Sequence, residues 1–434
     1  AFFGTTRTVY AQYNKVLNMA YLNYVLDYTG GKANTIGDAQ RLAKTEMITT
    51  GKDLTTNKLQ YSLLGDPAIS LIKPSQNIVV DSINGVSTLS STLPIFKGGS
   101  IARISGHVEN ATSLTGIITA TVRDSKELIT CRLNDPTQAD SAFQYYDRTK
   151  VLYNGSDSVR AGKFAFSFAV PKDINYSDGT GLINLYAVNS DRSITANGHS
   201  DHFKVGGSDV AANDSIGPAI YCYLNSPSFE NGGNVNTTPY FVAQIKDENG
   251  INVTGSGIGH NLELIIDGKA TMTYNLNDNF SYDFGTYQSG TTYYNIPELT
   301  EGRHKLQFRS WDILNNSSTA QLDFNVVNRL EPNLFGVSLS NNPATTTTTF
   351  IVNHDRTGSD MDVQIEVFDM SGKILWKHSE TAIPTSSVYT VTWDLCTDGG
   401  NRLHTGVYLY RVKISSEGSS KVSKSHKLIV IDNN

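Results

Sequence analysis

The side chains best suited to nucleophilic chemistry in this sequence are its three cysteines, Cys131, Cys222 and Cys396. A cysteine or serine nucleophile needs a base, usually a histidine, within reach. Residues 1–75 contain no cysteine and no histidine, and the first histidine of the chain is His107. The sequence therefore predicts that residues 1–75 contain neither the nucleophile nor the base of any reaction in which they take part.

The cysteines are interpreted as structural residues. Cys131 and Cys222 alternate with apolar residues, which predicts small buried side chains. Cys396 stands beside the turn Thr397–Gly400 and is expected to be more exposed, and no motif near it would activate the thiol. The odd number of cysteines and the lack of a Cys-x-x-Cys pair argue against a disulfide framework or a zinc ribbon.

Four other segments carry residue types that bind ions: His199–His202, Gly255–His260, Asn275–Asp283 and Trp311–Asn316. The two histidines of the first would point apart in a strand or loop, so a surface loop is favoured over a metal site. The glycine-rich segment lacks the Lys-Ser/Thr pair of a phosphate loop, and the third lacks the spacing of a calcium loop. The last is interpreted as a strand end that caps a turn. We predict no metal site and no cofactor.

The first 75 residues differ from the rest of the chain. Apolar residues at helical spacing over 13–25 and 39–47 predict two helices, the first stopped by Gly30-Gly31 and the second capped at Asn34-Thr35. Ala1–Gly4 is interpreted as the end of a buried strand, and Ile69–Ile72 as a second short strand.

Strand, helix, helix and strand in this order are typical of an α/β layer. Residues 1–75 are too few for a whole domain of that kind. The opening residues Ala1–Gly4 include no initiator Met and do not have the charged and apolar regions of a signal peptide. We therefore expect this chain to be the C-terminal part of a longer protein.

From about residue 76 the apolar pattern changes to a period of two, as in Ile118, Ala120 and Val122. Such alternation is typical of antiparallel strands with one face in a core. The pattern predicts three β modules: a β-sandwich over 76–208 and Ig-like sandwiches over 214–330 and 331–434. The predicted fold class is mainly β, with a partial α/β segment at the N-terminus followed by three Ig-like antiparallel β-sandwich domains.

Composition excludes several functions. The formal net charge is −6, which makes nucleic acid a poor candidate partner. No apolar run approaches the length of a transmembrane helix. The 36 glycines and 22 tyrosines suit β-sandwiches with exposed turns.

Several motifs resemble a known family. Phe2–Arg7 and Leu64–Ala68 are similar to the last third of a gingipain-like cysteine peptidase domain. The remaining chain resembles the sortases of the type IX secretion system. That second resemblance rests on the segments Asp214–Pro218, Asn236–Phe241, Gly257–His260 and Trp311–Ser318.

The last module resembles the C-terminal sorting domain of type IX cargo. The segments that carry this resemblance are Asn342–Ala344, Asp369–Lys373, Gly406–Tyr408 and Lys427–Val430. In that family the Ig-like sandwich is recognised by the export machinery of the outer membrane.

The resemblance implies a caspase-like α/β core with a His–Cys dyad, of which neither member lies in this chain. It implies a cell-surface cysteine endopeptidase that removes C-terminal sorting domains from exported cargo, with that cargo and outer-membrane type IX components as partners. A gingipain-like secreted endopeptidase of broader specificity and a non-catalytic surface adhesin or stalk are the alternatives.

The candidate binding residues are Thr5, Thr6, Arg7 and Tyr10. They follow the end of the first strand, where α/β sheets place ligands. The family resemblance makes this loop the rim of a substrate pocket. A connecting loop without substrate contact is the other interpretation.

Overall fold

The computed structural model describes residues 2–28, 33–71, 74–131, 141–209, 214–255 and 259–431. Strands hold 49 % of the residues and helices 10 %, which confirms the mainly β class. The chain divides into two compact units. One comprises Ala1–Asn77 with Asp191–Ala196, and the other comprises Ile78–Ser190 with Asn197–Asn434.

The first unit contains both predicted helices. Its elements are β1 (Phe2–Thr5), α1 (Ala11–Val25), α2 (Ile36–Thr49), a 3₁₀ turn (Asn57–Gln60) and β2 (Tyr61–Leu64). The apolar face of α1 packs on that of α2, with Leu17 and Met47 fully buried in the shared core. The Thr35 hydroxyl accepts the N–H of Asp38 at 3.0 Å, so the predicted cap of α2 is confirmed.

The strands of the first unit differ from the prediction. Strand β1 pairs antiparallel with β2, and the predicted strand over Ile69–Ile72 does not form in its described part. Ser70 makes only a single bridge to Thr35, and residue 72 lies outside the described residues. The expectation of a buried first strand is wrong for Phe2, which is 65 % exposed. In a two-stranded sheet both strands are edges, and here only one face packs on the helices.

The described residues of 76–208 form the strands β3 (Gln76–Ile83), β4 (Val86–Ser87), β5 (Ile95–Gly98), β6 (Ile101–Val108), β7 (Gly116–Arg123), β8 (Glu127–Thr130), β9 (Gln144–Asp147), β10 (Val151–Arg160), β11 (Lys163–Ala169), β12 (Gly179–Thr180), β13 (Leu182–Asn189), β14 (Thr195–Ser200) and β15 (Lys204–Ser208). The main sheet runs β14-β13-β7-β10-β11-β6-β3-β4, and β14 also pairs with β3. This sheet therefore closes on itself, which differs from an open two-sheet Ig-like sandwich. Gly198 permits the closure, since a Cβ there would lie 2.1 Å from the carbonyl oxygen of Ile78.

Residues 214–330 form β16 (Ala219–Leu224), β17 (Asn234–Val235), β18 (Tyr240–Lys246), β19 (Ile251–Asn252), β20 (Glu263–Ile266), β21 (Thr273–Asn275), β22 (Phe280–Tyr282), β23 (Ser289–Asn295), β24 (Gly302–Asp312) and β25 (Ser317–Val326). A four-stranded sheet, β16-β18-β23-β22, lies in the same module as a sheet built on β24 and β25. Phe241 from the first sheet and Phe308 from the second meet at 5.2 Å in the core between them. Alternate residues along the strands fill this core, among them Phe241, Ala243 and Ile245 of β18 and Leu306 and Phe308 of β24.

Residues 331–434 form β26 (Leu334–Leu339), β27 (Thr348–His354), β28 (Met361–Phe368), β29 (Ile374–Ala382), β30 (Val388–Trp393), β31 (Gly406–Ser416), β32 (Ser419–Val422) and β33 (His426–Val430). The sheet β26-β27-β30 and the sheet β29-β28-β31-β32, with β33 on β31, enclose one apolar core. Phe350 lies at its centre, with its ring 5.7 Å from that of Trp376 and 5.3 Å from that of Tyr410. No sheet of the described residues combines strands from two of the predicted modules, and the module boundaries themselves stay predictions.

Polar side chains join the second module to the third. The amide of Asn236 donates to the carboxylate of Glu417 at 2.8 Å and to the hydroxyl of Ser359 at 3.0 Å. The Thr357 hydroxyl donates to the carbonyl of Asn225 at 3.0 Å. These bonds lie in a buried setting, so they hold the two modules in one arrangement.

A buried histidine lies at the same junction. The Nδ1 atom of His354 accepts the backbone N–H of Arg356 at 3.1 Å, which places the proton of the neutral ring on Nε2. Among the described residues Nε2 has no hydrogen-bonding partner, and the residue is fully buried. Burial, together with the nearby Arg356 charge, lowers the pKa of His354 from 6.5 to about 4.

The low pKa of His354 predicts acid sensitivity. The unfolded chain binds a proton at this side chain below about pH 6.5 and the native chain only below about pH 4, so stability declines across that window. Across the full window the free energy of unfolding falls by about 3 kcal/mol. His354→Asn keeps an acceptor for Arg356 and cannot titrate, so the difference in urea midpoint between pH 7.0 and pH 4.5 is expected to shrink. His404→Asn, at an exposed histidine, is the control, and an equal effect of both variants would contradict the assignment.

Candidate functional site

The loop after β1 carries the binding residues predicted from the sequence. The backbone N–H and the hydroxyl of Thr6 both donate to the carbonyl of Gln60, at 3.0 and 3.1 Å. The N–H of Tyr10 donates to Oδ1 of Asn57 at 2.8 Å. The loop backbone is thus fixed at both ends by the segment that leads into β2.

The side chains of this loop point into solvent. Thr5, Thr6 and Arg7 are exposed, and Tyr10 is 69 % exposed with its ring 6.1 Å from that of Tyr13. No ion pair engages Arg7 among the described residues. A fixed backbone with an exposed guanidinium, hydroxyls and a phenol can bind a carboxylate or a peptide, but it contains no nucleophile and no base. A substrate-binding role for the four residues stays a prediction.

The cysteines are free thiols of intermediate burial, so Cys131 and Cys222 are less buried than the small buried side chains predicted from the sequence. Burial raises the pKa of Cys222 to about 11, and its side chain packs against the core of the second module. The pKa of Cys396 is raised by desolvation and by the Asp394 carboxylate. Neither thiol therefore has the lowered pKa that a reactive thiolate requires.

The segments considered as ion sites lie in different parts of the structure. His199 is exposed at the end of β14 and His202 is half-buried in the loop that follows. The Asn277 side chain accepts the N–H of Leu262 at 2.8 Å, so it joins loops of the second module. His260 Nδ1 lies 2.7 Å from the Asp173 carboxylate, and its ring lies 4.4 Å from Trp311. Residues 256–258 of the glycine-rich segment lie outside the described residues.

Three carboxylates that are distant in sequence meet in the second module. Single oxygens of Asp214, Asp247 and Asp312 all lie within 4.8 Å of one another. The Asp214 carboxylate accepts the amide of Asn249 at 2.6 Å, and that of Asp312 accepts the amide of Asn316 at 2.7 Å. Desolvation, together with the neighbouring carboxylates, raises the pKa of both Asp247 and Asp312. These oxygens are of the type that binds hard cations such as Ca²⁺.

Sequence reasoning missed this cluster. Asp214 belongs to a family motif, Asp247 begins a turn and Asp312 ends a strand, and nothing in their spacing indicates that they meet. Only the pairing of β19 with β24 brings Asp312 to the turn that follows β18. The Asp312 carboxylate does cap a turn, accepting the N–H groups of Leu314 and Asn316, as the sequence indicated.

Repulsion within the cluster gives a second prediction. Because the pKa of Asp247 is raised in the folded chain, its charge destabilises the fold at neutral pH, and this cost is relieved as pH falls through the raised value. Asp247→Asn is expected to raise the free energy of unfolding at pH 7.5 by about 1 kcal/mol. The free energy of unfolding is measured in urea with a chelator present, so that no bound cation offsets the repulsion between the carboxylates. Asp201→Asn, at an exposed aspartate, is the control and should leave the free energy of unfolding unchanged. A lower free energy of unfolding in Asp247→Asn would refute the argument.

No helix of the described residues is long and apolar enough to cross a membrane. This observation covers α1 and α2, which have 15 and 14 residues.

Comparisons with known proteins place these observations in a family context. Residues 1–72 match the family described as Peptidase family C25. The whole chain is 32 % identical to dimeric latent PorU from Porphyromonas gingivalis, with a TM-score of 0.40, and covers 41 % of that protein. The FN1–FN3 domains of chicken CNTN1 match 83 % of this chain over their full length, at 9 % identity and a TM-score of 0.20, which carries no conclusion about function. No curated protein sequence matches the chain. The first two findings confirm the resemblance to the C-terminal part of a PorU-like protein of the gingipain-related family.

Proposed function

We propose that this chain is the C-terminal part of a PorU-like cysteine endopeptidase that acts as a sortase of type IX secretion and removes C-terminal sorting domains from exported cargo. The observation that carries the proposal is the match of residues 1–72 to peptidase family C25. The similarity of the whole chain to PorU supports it. Because the chain spans 41 % of that PorU, the activity belongs to the longer protein.

In this proposal the chain binds and positions substrate while the chemistry is done elsewhere in the protein. A cysteine thiolate outside these residues attacks the scissile carbonyl, and backbone N–H groups stabilise the oxyanion. The tetrahedral intermediate then collapses: the C–N bond breaks, the amine of the sorting domain leaves with a proton from the histidine of the dyad, and the acyl group remains as a thioester. Water or an amine attacks that thioester carbonyl and displaces the cysteine thiolate. The loop with Thr5, Thr6, Arg7 and Tyr10 forms the rim of the substrate pocket, because its exposed donors can bind the peptide on either side of the scissile bond.

The third module has a separate role in the proposal. It acts as a type IX sorting-like domain, and its partners are outer-membrane components of that secretion system. Its single apolar core supports a module that keeps its shape as a recognition surface. The protein is accordingly placed at the cell surface.

The test of this function uses the full-length gene product that contains this chain. Two substrates are compared: a cargo protein ending in a sorting domain, and a mixture of unrelated unstructured peptides. Preferential cleavage at the sorting-domain junction supports the sortase. Broad peptide cleavage without that preference supports a gingipain-like endopeptidase, and the absence of any cleavage supports an adhesin or stalk.

The rim is tested in the same assay. Arg7→Ala is expected to lower kcat/KM for cargo about tenfold, which corresponds to the loss of one charge-assisted hydrogen bond. Arg41→Ala is the matched control, because Arg41 is an exposed arginine on α2 of the same unit. Equal activity of both variants would show that Arg7 does not bind substrate. The sortase proposal itself would then still be decided by the comparison of cargo with unrelated peptides.

A further inference from the structure

The outer face of the sheet β16-β18-β23-β22 carries a group of tyrosines. Tyr221 and Tyr223 lie on β16, Tyr240 on β18 and Tyr293 on β23. The register places Tyr223, Val242 and Tyr293 in one row across three strands. We call Tyr221, Tyr223, Tyr240 and Tyr293 the tyrosine face.

The rings of the tyrosine face are packed in place. Tyr221 and Tyr223 lie 5.7 Å apart, and Tyr240 and Tyr293 lie 6.1 Å apart and stacked. Together they cover Val242, which is only 4 % exposed although it is on the outer side of the sheet. The flat surfaces are therefore formed before any ligand arrives, which lowers the entropic cost of binding.

Most hydroxyls of the tyrosine face are not used within the protein. The Tyr221 hydroxyl donates to the carbonyl of Pro227 at 3.3 Å. Among the described residues those of Tyr223, Tyr240 and Tyr293 have no hydrogen-bonding partner. The pKa values of Tyr223 and Tyr240 are raised by partial burial and by the other tyrosines, so these hydroxyls stay protonated and can both donate and accept.

A cleft of about 490 Å³ continues from the tyrosines along the same sheet. Its floor includes Gln244 and Thr291, which are register partners of each other and lie in the row of Tyr221. Lys246 and Asp283 lie at its far end and carry opposite charges. The amide and hydroxyl groups of the floor offer both donors and acceptors.

The opposite end of the face is bounded by the third module. A Cβ at Gly358 would lie 2.6 Å from the ring of Tyr240 and 2.1 Å from the side chain of Asn295, so only glycine allows this approach. The wall is continuous with the junction between the second and third modules, where Thr357 bonds to Asn225. Sheet and wall together make a groove, open at the end with Lys246.

We propose that this groove binds a neutral oligosaccharide. Flat tyrosine rings pack against the C–H faces of sugar rings, and phenol, amide and hydroxyl groups bond to sugar hydroxyls. The two charged side chains that line the cleft, Lys246 and Asp283, have opposite signs, so the lining itself favours a neutral, hydroxyl-rich chain over a strongly acidic or basic peptide. Four rows of side chains along the strands span about 20 Å, a length that suits several sugar units.

The proposal is independent of the peptidase function and is tested on the 434-residue chain itself. The chain is applied to an array of neutral hexasaccharides of glucose, mannose, galactose and xylose in several linkages, beside uronic-acid hexasaccharides and unstructured peptides. Hits are confirmed by titration calorimetry. Binding of at least one neutral hexasaccharide and of no peptide is expected.

Variants locate the binding. Tyr223→Ala combined with Tyr293→Ala should weaken binding at least tenfold, while Tyr223→Phe combined with Tyr293→Phe keeps the ring surface and should lose less. Tyr145→Ala combined with Tyr146→Ala is the control, since these exposed tyrosines lie on β9, outside the face. Circular dichroism of each variant checks folding. The proposal is overturned if no neutral hexasaccharide binds, if only uronic-acid chains or peptides bind, or if the control weakens binding as much as the tyrosine-face variant.

Discussion

Asp355→Ala is expected to lower the free energy of unfolding of the third module by about 3 kcal/mol, the lower part of the range for an uncompensated buried charge. Arg356 is fully buried, and its Nη1 donates to the Asp355 carboxylate at 2.7 Å. The same carboxylate accepts the backbone and side-chain N–H groups of Asn333, and Nη2 of Arg356 donates to the carbonyl of Leu330. Removing Asp355 leaves the guanidinium without its nearest counter-charge and releases the segment that leads into the module.

The measurement is urea unfolding followed by tryptophan fluorescence, because two of the three tryptophans, Trp376 and Trp393, lie in the third module. Urea does not screen charges as a denaturing salt would. A double variant distinguishes the cost of an unpaired charge from the cost of lost packing. Asp355→Ala combined with Arg356→Met should recover much of the lost free energy of unfolding, since no buried charge then remains unpaired. A loss below about 1 kcal/mol in the single variant would contradict the importance of the pair.

Phe350→Ala is expected to lower the free energy of unfolding by about 3–5 kcal/mol, because it removes a large, fully buried apolar side chain from the same core. Phe350 is fully buried, and its ring meets Trp376, Trp393 and Tyr410 at 5.7, 6.1 and 5.3 Å. These rings come from both sheets of the module, so a cavity here separates the sheets and cannot be closed by one side chain.

Amide hydrogen exchange, measured peptide by peptide, shows whether the destabilisation by Phe350→Ala is confined to the third module. Peptides from β27 and β31 should exchange at least a hundredfold faster in Phe350→Ala, which corresponds to about 3 kcal/mol, while peptides from β18 and β24 change little. Phe335→Ala, at a phenylalanine that is 50 % exposed on β26, is the matched control and should leave all rates near those of the original chain. Similar acceleration in both variants would contradict the central position of Phe350.

Local patterns in the sequence determined much of this fold. The helical spacing of residues 13–25 and the cap at Thr35 predicted α1 and α2, because both depend on contacts within a few residues. The alternation at Ile118, Ala120 and Val122 predicted which side of β7 is buried, since side chains in a strand alternate between two faces. The two-residue period also gave the mainly β class, and the motifs gave the family resemblance.

Which strands become neighbours is set by long-range pairing, and the sequence did not reveal it. The closure of β14 on β3, the pairing of β1 with β2, and the meeting of Asp214, Asp247 and Asp312 all depend on residues far apart in the chain. The tyrosine face arose in the same way, because β16, β18 and β23 each contribute rings that alternation alone places only on an outer side. Periodicity thus fixes the direction in which a side chain points relative to its own strand, while packing between strands decides what it meets there.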